Sequence, residues 1–135
     1  MRKFPLTSPI ELKVEAPVNP SEYSEKVIAA ITNVIDKCSP ELRYNSRVVA
    51  RSVGADSLNT IYQQIRSRSA MGVLRRMLTY NRVTNTTWFF LNKQAAAAGI
   101  VVIIEDESES PLGPIRITMV CDELDVLIDW LAPLE

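Results

Sequence analysis

Residues 10–16 read Ile-Glu-Leu-Lys-Val-Glu-Ala, with apolar and charged side chains in strict turn. Successive side chains of an extended strand point to opposite faces, so this period of two marks a strand with one face buried and one in water. The turn that follows, Pro17 to Pro20, leads into a helix. Asn19 suits its cap, Pro20 the first helical position, and Glu22 the third residue of a capping box. Val27, Ile28, Ile31, Val34 and Ile35 give that helix an apolar stripe, and Pro40 bounds it, because the residue before proline is kept out of the α region.

Residues 43–53 read as a second strand with Val48, Val49 and Val53 inside and arginines outside. Gly54-Ala55-Asp56 turns the chain, and Asp56 is placed to cap a helix starting at Ser57. Leu58, Ile61 and Ile65 mark one helical face; Met71, Leu74, Met77 and Leu78 mark another. At about 100° per residue these two faces point roughly 160° apart, so one straight helix cannot bury both. The helix breaks near Ser67–Ser69, with Ser69 as the cap of the second piece. Thr86–Leu91 is rich in strand formers, and its Trp88, like Trp130, lies in an apolar pattern that reads as core.

Asn92 caps a short Ala-rich helix, 93–98, that ends on Gly99 in the left-handed position. Ile100–Ile104 is a continuous β-branched run, read as a central strand. After the loop 105–114, whose Gly113–Pro114 bond is a candidate cis peptide, comes the strand Ile115–Val120. Asp122 then caps a last helix bearing Leu124, Leu127, Ile128 and Leu131. Strands and helices do not alternate, and the 100–104 and 115–120 strands lie close enough to pair as a hairpin. The expected fold is α+β: a single domain over 1–135, with a largely antiparallel sheet and helices packed on one face.

A chain of 135 residues buries roughly two-thirds of its unfolded surface and needs no metal or disulfide to fold. Its longest apolar run, 100–104, is far short of the roughly 20 residues of a membrane span. Met1–Pro5 carries two basic residues but no apolar segment behind them, so no signal peptide is read there and cytoplasm is the expected location. Two cysteines, Cys38 and Cys121, and no histidine fall short of a zinc site. Both cysteines are expected to be buried, reduced thiols. No cofactor is implied.

The net charge of −1 conceals a polarity: between positions 43 and 82 there are eight arginines and one acid, and from 105 to 135 nine acids and one base. The arginines are Arg43, Arg47, Arg51, Arg66, Arg68, Arg75, Arg76 and Arg82. The planar guanidinium donates two parallel hydrogen bonds to phosphate, and clustered cations gain affinity for nucleic acid by counterion release. Arg43, Arg47 and Arg51 recur every fourth residue, on one face of a strand; Arg75 and Arg76 lie opposite the apolar face of their helix and project into solvent. The same arginines could instead pair with the acidic third, where Asp122, Asp125 and Asp129 share one helical side. Lys93 and Gln94 open a short helix whose N–H groups favour an anion, or simply form a cap on a tightly packed helix.

Three segments carry a family likeness: Val14-Glu15-Ala16-Pro17-Val18-Asn19-Pro20-Ser21-Glu22; Leu91-Asn92-Lys93-Gln94-Ala95-Ala96; and Ser110-Pro111-Leu112-Gly113-Pro114-Ile115 with Leu127-Ile128-Asp129-Trp130-Leu131-Ala132-Pro133. Together they resemble a small archaea-restricted family of uncharacterised function. It is grouped with RNA-binding proteins because its fold is similar to that of the large-subunit ribosomal protein that binds five-S rRNA. The resemblance implies a ribosomal RNA-binding-protein-like fold and no particular chemistry. It is weakest over 44–85. In a hyperthermophile it would also make a Cys38–Cys121 disulfide more admissible.

Without histidine there is no Ser/His or Cys/His nucleophile, and no phosphate-binding loop or dinucleotide fingerprint appears. The chain reads as a non-catalytic binding module. Two functions follow: an interaction module acting through a homodimer or a protein partner, in which basic and acidic regions meet, or an RNA-binding protein using 43–82 in weak, salt-sensitive contacts with phosphates.

Overall fold

A computed structural model describes residues 9–134, so the Met1–Pro5 segment lies outside the described residues. The expected α+β architecture is present. In chain order the elements are β1 (Glu11–Pro17), α1 (Ser24–Val34), β2 (Glu41–Arg43), β3 (Arg47–Val53), α2 (Asn59–Ser67), α3 (Met71–Tyr80), β4 (Thr86–Leu91), α4 (Lys93–Ala97), β5 (Ile103–Ile104), β6 (Ile115–Val120) and α5 (Leu124–Leu131). The strands form one antiparallel sheet ordered β2-β3-β1-β6-β4-β5.

The alternation in β1 is realised literally. Leu12, Val14 and Ala16 are buried, as are Thr87, Phe89 and Leu91 of β4 and Ile115, Ile117 and Met119 of β6. These side chains join Ile31, Leu58, Ile61, Leu74, Leu78 and Leu127 of the helices in one apolar core. The intervening residues face away from the helices. Among the described residues, no helix is long and apolar enough to cross a membrane.

Several local readings are corrected. The 43–53 segment is not one strand: it doubles back through Tyr44 and Asn45, both at positive φ, so that β2 and β3 form a hairpin with Arg43 opposite Arg47. Val48 is buried, but Val49 is half-buried and Val53 is 70% exposed, because side chains one residue apart cannot share a strand face. The 100–104 run is not a central strand either. Gln64 donates to Gly99 O (2.8 Å) and accepts from Val101 N (2.7 Å), and Asn92 N donates to Val102 O (3.0 Å). These bonds occupy the backbone before it can join a ladder, and only Ile103–Ile104 pairs, at the sheet edge with β4 rather than β6.

Capping shows the same mixture. The helix does break at Ser67–Ala70, but Ala70 is the N-cap of α3 and Ser69 takes a left-handed turn (φ 54°). A 3-10 turn over Ala55–Leu58, entered from Gly54, precedes α2, so Asp56 caps nothing. Helix α5 is capped by Glu123 rather than Asp122, and the Gly113–Pro114 peptide is trans. Asn92 caps α4 as read, accepting from Ala95 N at 2.9 Å, and Gly99 adopts φ 79°. Both cysteines are free thiols; Cys121 is buried, whereas Cys38 is only half-buried, and burial pushes both thiols up from their ordinary range.

Candidate nucleic-acid interface

The face of the sheet that carries no helices is built in rows by the strand register. One row runs Glu41, Val49, Glu15, Arg116, Phe90; the next holds Arg51, Lys13, Thr118 and Trp88; a third holds Arg43, Arg47 and Pro17. Lys13, Arg43, Arg47, Arg51 and Arg116 stand against Glu11, Glu15 and Glu41, five cations to three carboxylates, in a chain whose net charge is −1. The three arginines at spacing four do share a face, but because Arg43 and Arg47 are cross-strand partners rather than neighbours along one strand.

Two of these register pairs place like charges directly opposite each other: Arg43 with Arg47, and Lys13 with Arg51. Such pairs disfavour the bare sheet. Glu41 binds Arg43 at 3.0 Å, and Glu15 binds Arg47 and lies 3.9 Å from Lys13, which offsets part of the repulsion. Next to the cations lie two half-buried aromatic rings, Trp88 and Phe90. The Arg116 guanidinium carbon sits 4.8 Å from the Trp88 ring centre. Trp88 is therefore on the open face and not in the core. The alternation Thr87-Phe89-Leu91 within β4 carried that signal, and the Trp-Phe-Phe run masked it. Trp130 is buried as read, with its ring 4.9 Å from that of Tyr62.

The helical arginines have other work. Arg66 lies over the Tyr62 ring (3.4 Å) and donates to Trp130 O (2.9 Å) and Leu131 O (3.1 Å). Arg75 donates to Ala132 O (3.1 Å) and pairs with Asp129 at 2.8 Å, so it does not project freely into solvent as expected. Both arginines satisfy carbonyls left unbonded at the C-terminus of α5, where cations are also favoured by the helix dipole. Arg76 pairs with Glu105 and Arg82 with Asp125. Arg68 is exposed on the helix side of the molecule's basic segment, at the end of α2. The polarity of the sequence is thus answered largely within one chain.

Lys93 and Gln94 do not form an open anion site. Lys93 is 3% exposed, and its ammonium donates to Pro17 O (2.7 Å), Leu112 O (2.7 Å) and Glu22 Oε1 (2.8 Å). Asn92 Oδ1 accepts from Ala95 N and the Ser110 hydroxyl oxygen accepts from Lys93 N, so two of the first N–H groups of α4 already have partners, and Gln94 Oε1 lies 3.2 Å from the same hydroxyl. Asn19 and Glu22, read as a helix cap, form a tight turn ahead of α1 instead, with Asn19 N donating to Glu22 Oε1 at 3.0 Å. Burial pushes the Glu22 carboxyl up, but the bonds from Lys93 and Asn19 outweigh it, and the group ends below its ordinary value of 4.5. A carboxyl that holds its proton less tightly when folded stabilises the fold above its unfolded pKa and loses that contribution as pH falls through the folded one. The urea midpoint should therefore drop as pH is lowered below about 4.5, and Glu22→Gln should flatten that dependence; an unchanged slope in the variant would remove Glu22 from this role.

The family model described as "RNA binding" matches residues 11–121. A UPF0201 protein of Sulfurisphaera tokodaii is 39% identical over 123 residues, covering 89% of this chain and 85% of the relative. The chain belongs to the archaeal UPF0201 family. A UPF0201 protein of Methanothermobacter thermautotrophicus is 37% identical and covers 91% of each chain. The solved structure of a UPF0201 protein from Methanococcus jannaschii is 28% identical, with a TM-score of 0.77 over 93% of this chain and 94% of that one. A second UPF0201 structure shares the fold with a TM-score of 0.80 at 21% identity. This UPF0201 chain therefore has the fold that its three characteristic segments suggest. The stretches 14–22, 91–96 and 110–115 of those segments meet in space: Asn19 donates to Leu112 O, and Lys93 joins Pro17, Glu22 and Leu112. Among the described residues, no group of three or more His, Cys, Asp or Glu is placed to hold a metal.

Proposed function

We propose that this protein is a non-catalytic RNA-binding module that uses the open face of its sheet. The observation that carries the reading is the pairing of like charges, Arg43 with Arg47 and Lys13 with Arg51, beside Trp88 and Phe90. Repulsion of this kind is relieved by a polyanion, and aromatic rings on a sheet surface stack unpaired bases. The description of the matching family model supports the same reading. The arginines of α2 and α3, part of the 43–82 region, fall outside the interface because their donors are turned to α5 and to Glu105.

Fluorescence anisotropy with single-stranded RNA tests it. Binding should weaken with salt, and Arg47→Ala with Arg51→Ala should lower both the affinity and the slope of log K against log salt, by about 0.7 per lost phosphate contact. Arg76→Ala should leave binding unchanged. The competing occupant of the face is another protein surface, in a homodimer or with a partner. Its charge argument is weakened by the internal pairs, and the half-buried Val49 and Phe90 are what favour it. A scattering mass of twice 15.1 kDa, together with indifference to RNA, would replace the proposal with that reading.

A further inference from the structure

The open face is not uniformly flat. Where β1, β6 and β4 meet the segment after β5, a depression of about 440 Å³ is lined by Pro17, Arg47, Phe90, Glu107, Pro114 and Arg116. Clefts that hold small ligands run from roughly 300 to 1,000 Å³. Phe90 belongs to the sheet surface, and the proline rings stand at the end of β1 and just before β6. The rim formed by 110–114 is fixed from behind. Lys93 Nζ holds Leu112 O at 2.7 Å, the Ser110 hydroxyl donates to Gly113 O at 2.8 Å, and Gly113 at φ 90° lies so close to the Pro17 ring that a Cβ there would collide with it.

The donors and acceptors in the depression define what it can take. Arg116 is stacked on Trp88, and its buried Nε makes no hydrogen bond among the described residues. Arg47, paired with Glu15 in the same lining, and Arg116 supply planar cations on which a base can stack or with which a phosphate can pair. Glu107 is exposed on a turn at the rim and makes no ion pair among the described residues. A carboxylate accepts hydrogen bonds from the amino group of a base and repels the carbonyl oxygens that uracil presents instead.

We infer that this depression receives one unpaired RNA base that carries an exocyclic amino group, stacked against Phe90 and read by Glu107. The inference rests on the RNA reading above and specifies its ligand. A base held in a duplex is stacked between its neighbours and cannot lay its ring against Phe90. Single strands of cytosine or adenine should therefore bind better than uracil strands, and better than duplex. The preformed rim means that the site selects the base without rearranging.

The test compares labelled ten-residue oligonucleotides of C, A and U, a matched duplex, and unlabelled CMP and AMP as competitors. The wild type should favour C or A over U by about tenfold, the worth of one good side-chain-to-base pairing. Glu107→Gln, an exposed substitution that leaves the core untouched, should erase that preference while keeping U binding. Phe90→Leu, which preserves an apolar side chain, should weaken all single strands. If Arg47→Ala with Arg51→Ala abolishes binding while Glu107→Gln and Phe90→Leu change nothing, the base site is wrong and the RNA face stands. If no RNA binds at all, both fall. Competition by CMP or AMP at micromolar concentration would make this a free-nucleotide site and overturn the assignment to RNA.

Discussion

Replacing Lys93 with alanine is expected to destabilise the protein by about 3–5 kcal/mol, the usual consequence of removing one member of a buried ion pair. The side chain is 3% exposed, and the Glu22 side chain it meets is 13% exposed. The ammonium has three protons and three acceptors, Pro17 O, Leu112 O and Glu22 Oε1, so its hydrogen-bonding capacity is met in full. Truncation would leave a carboxylate and two carbonyls without that donor and open a void the length of a lysine stem. Asn19 would still donate to Glu22 Oε1 and Leu112 O, so the loss is carried chiefly by the buried carboxylate left without its cation. Lys93→Met, which refills the volume but not the charge, should be nearly as damaging, and adding Glu22→Gln should recover part of the loss. Urea denaturation of the three variants measures this. A loss under about 1 kcal/mol for both single variants would mean that water, not protein, solvates the ammonium. Because the same ammonium fixes Leu112, the variant should also loosen the rim of the base site, so its RNA affinity should fall beyond what partial unfolding explains.

Phe89→Ala should cost about 3–5 kcal/mol, and Phe90→Ala distinctly less. The two are chemically identical neighbours on β4. Phe89 is fully buried against the helices, among Ile117, Leu78 and the rest of the core, whereas Phe90 is half-buried on the open face. The contrast is a direct reading of which side of the sheet the helices cover. Equal losses at the two positions would mean that both faces of β4 are covered and that the proposed RNA surface does not exist. Thermal or urea unfolding of the two single variants is sufficient to decide.

Features written within a few residues of one another could be read from the chain alone. The alternation at 10–16 specified a strand and its buried side, because the side-chain period of a strand is two regardless of what lies opposite. The incompatible apolar faces of 57–65 and 71–78 forced the break between α2 and α3, since the two stripes could not reach one core from one straight axis. Asn92 and Gly99 bracketed α4 through cap chemistry that needs only the backbone beside them.

Tertiary structure decided the rest, and for a common reason: each outcome depended on a partner far along the chain. The 100–104 run has every mark of a central strand, but Gln64, more than thirty residues earlier, takes its backbone and leaves two residues for the sheet edge. Lys93 reads from its neighbours only as the opening of a helix that favours an anion or packs tightly on its cap; the carboxylate and carbonyls that bury its ammonium come from residues 17, 22 and 112. Of the arginines in 66–82, Arg66 and Arg75 meet the last carbonyls of α5, Arg75 and Arg82 meet Asp129 and Asp125, and Arg76 meets Glu105, partners that all lie far along the chain. The alternation in β4 separates Trp88 and Phe90 from Thr87, Phe89 and Leu91, but which of those two faces is open was fixed only when α3 packed on the other.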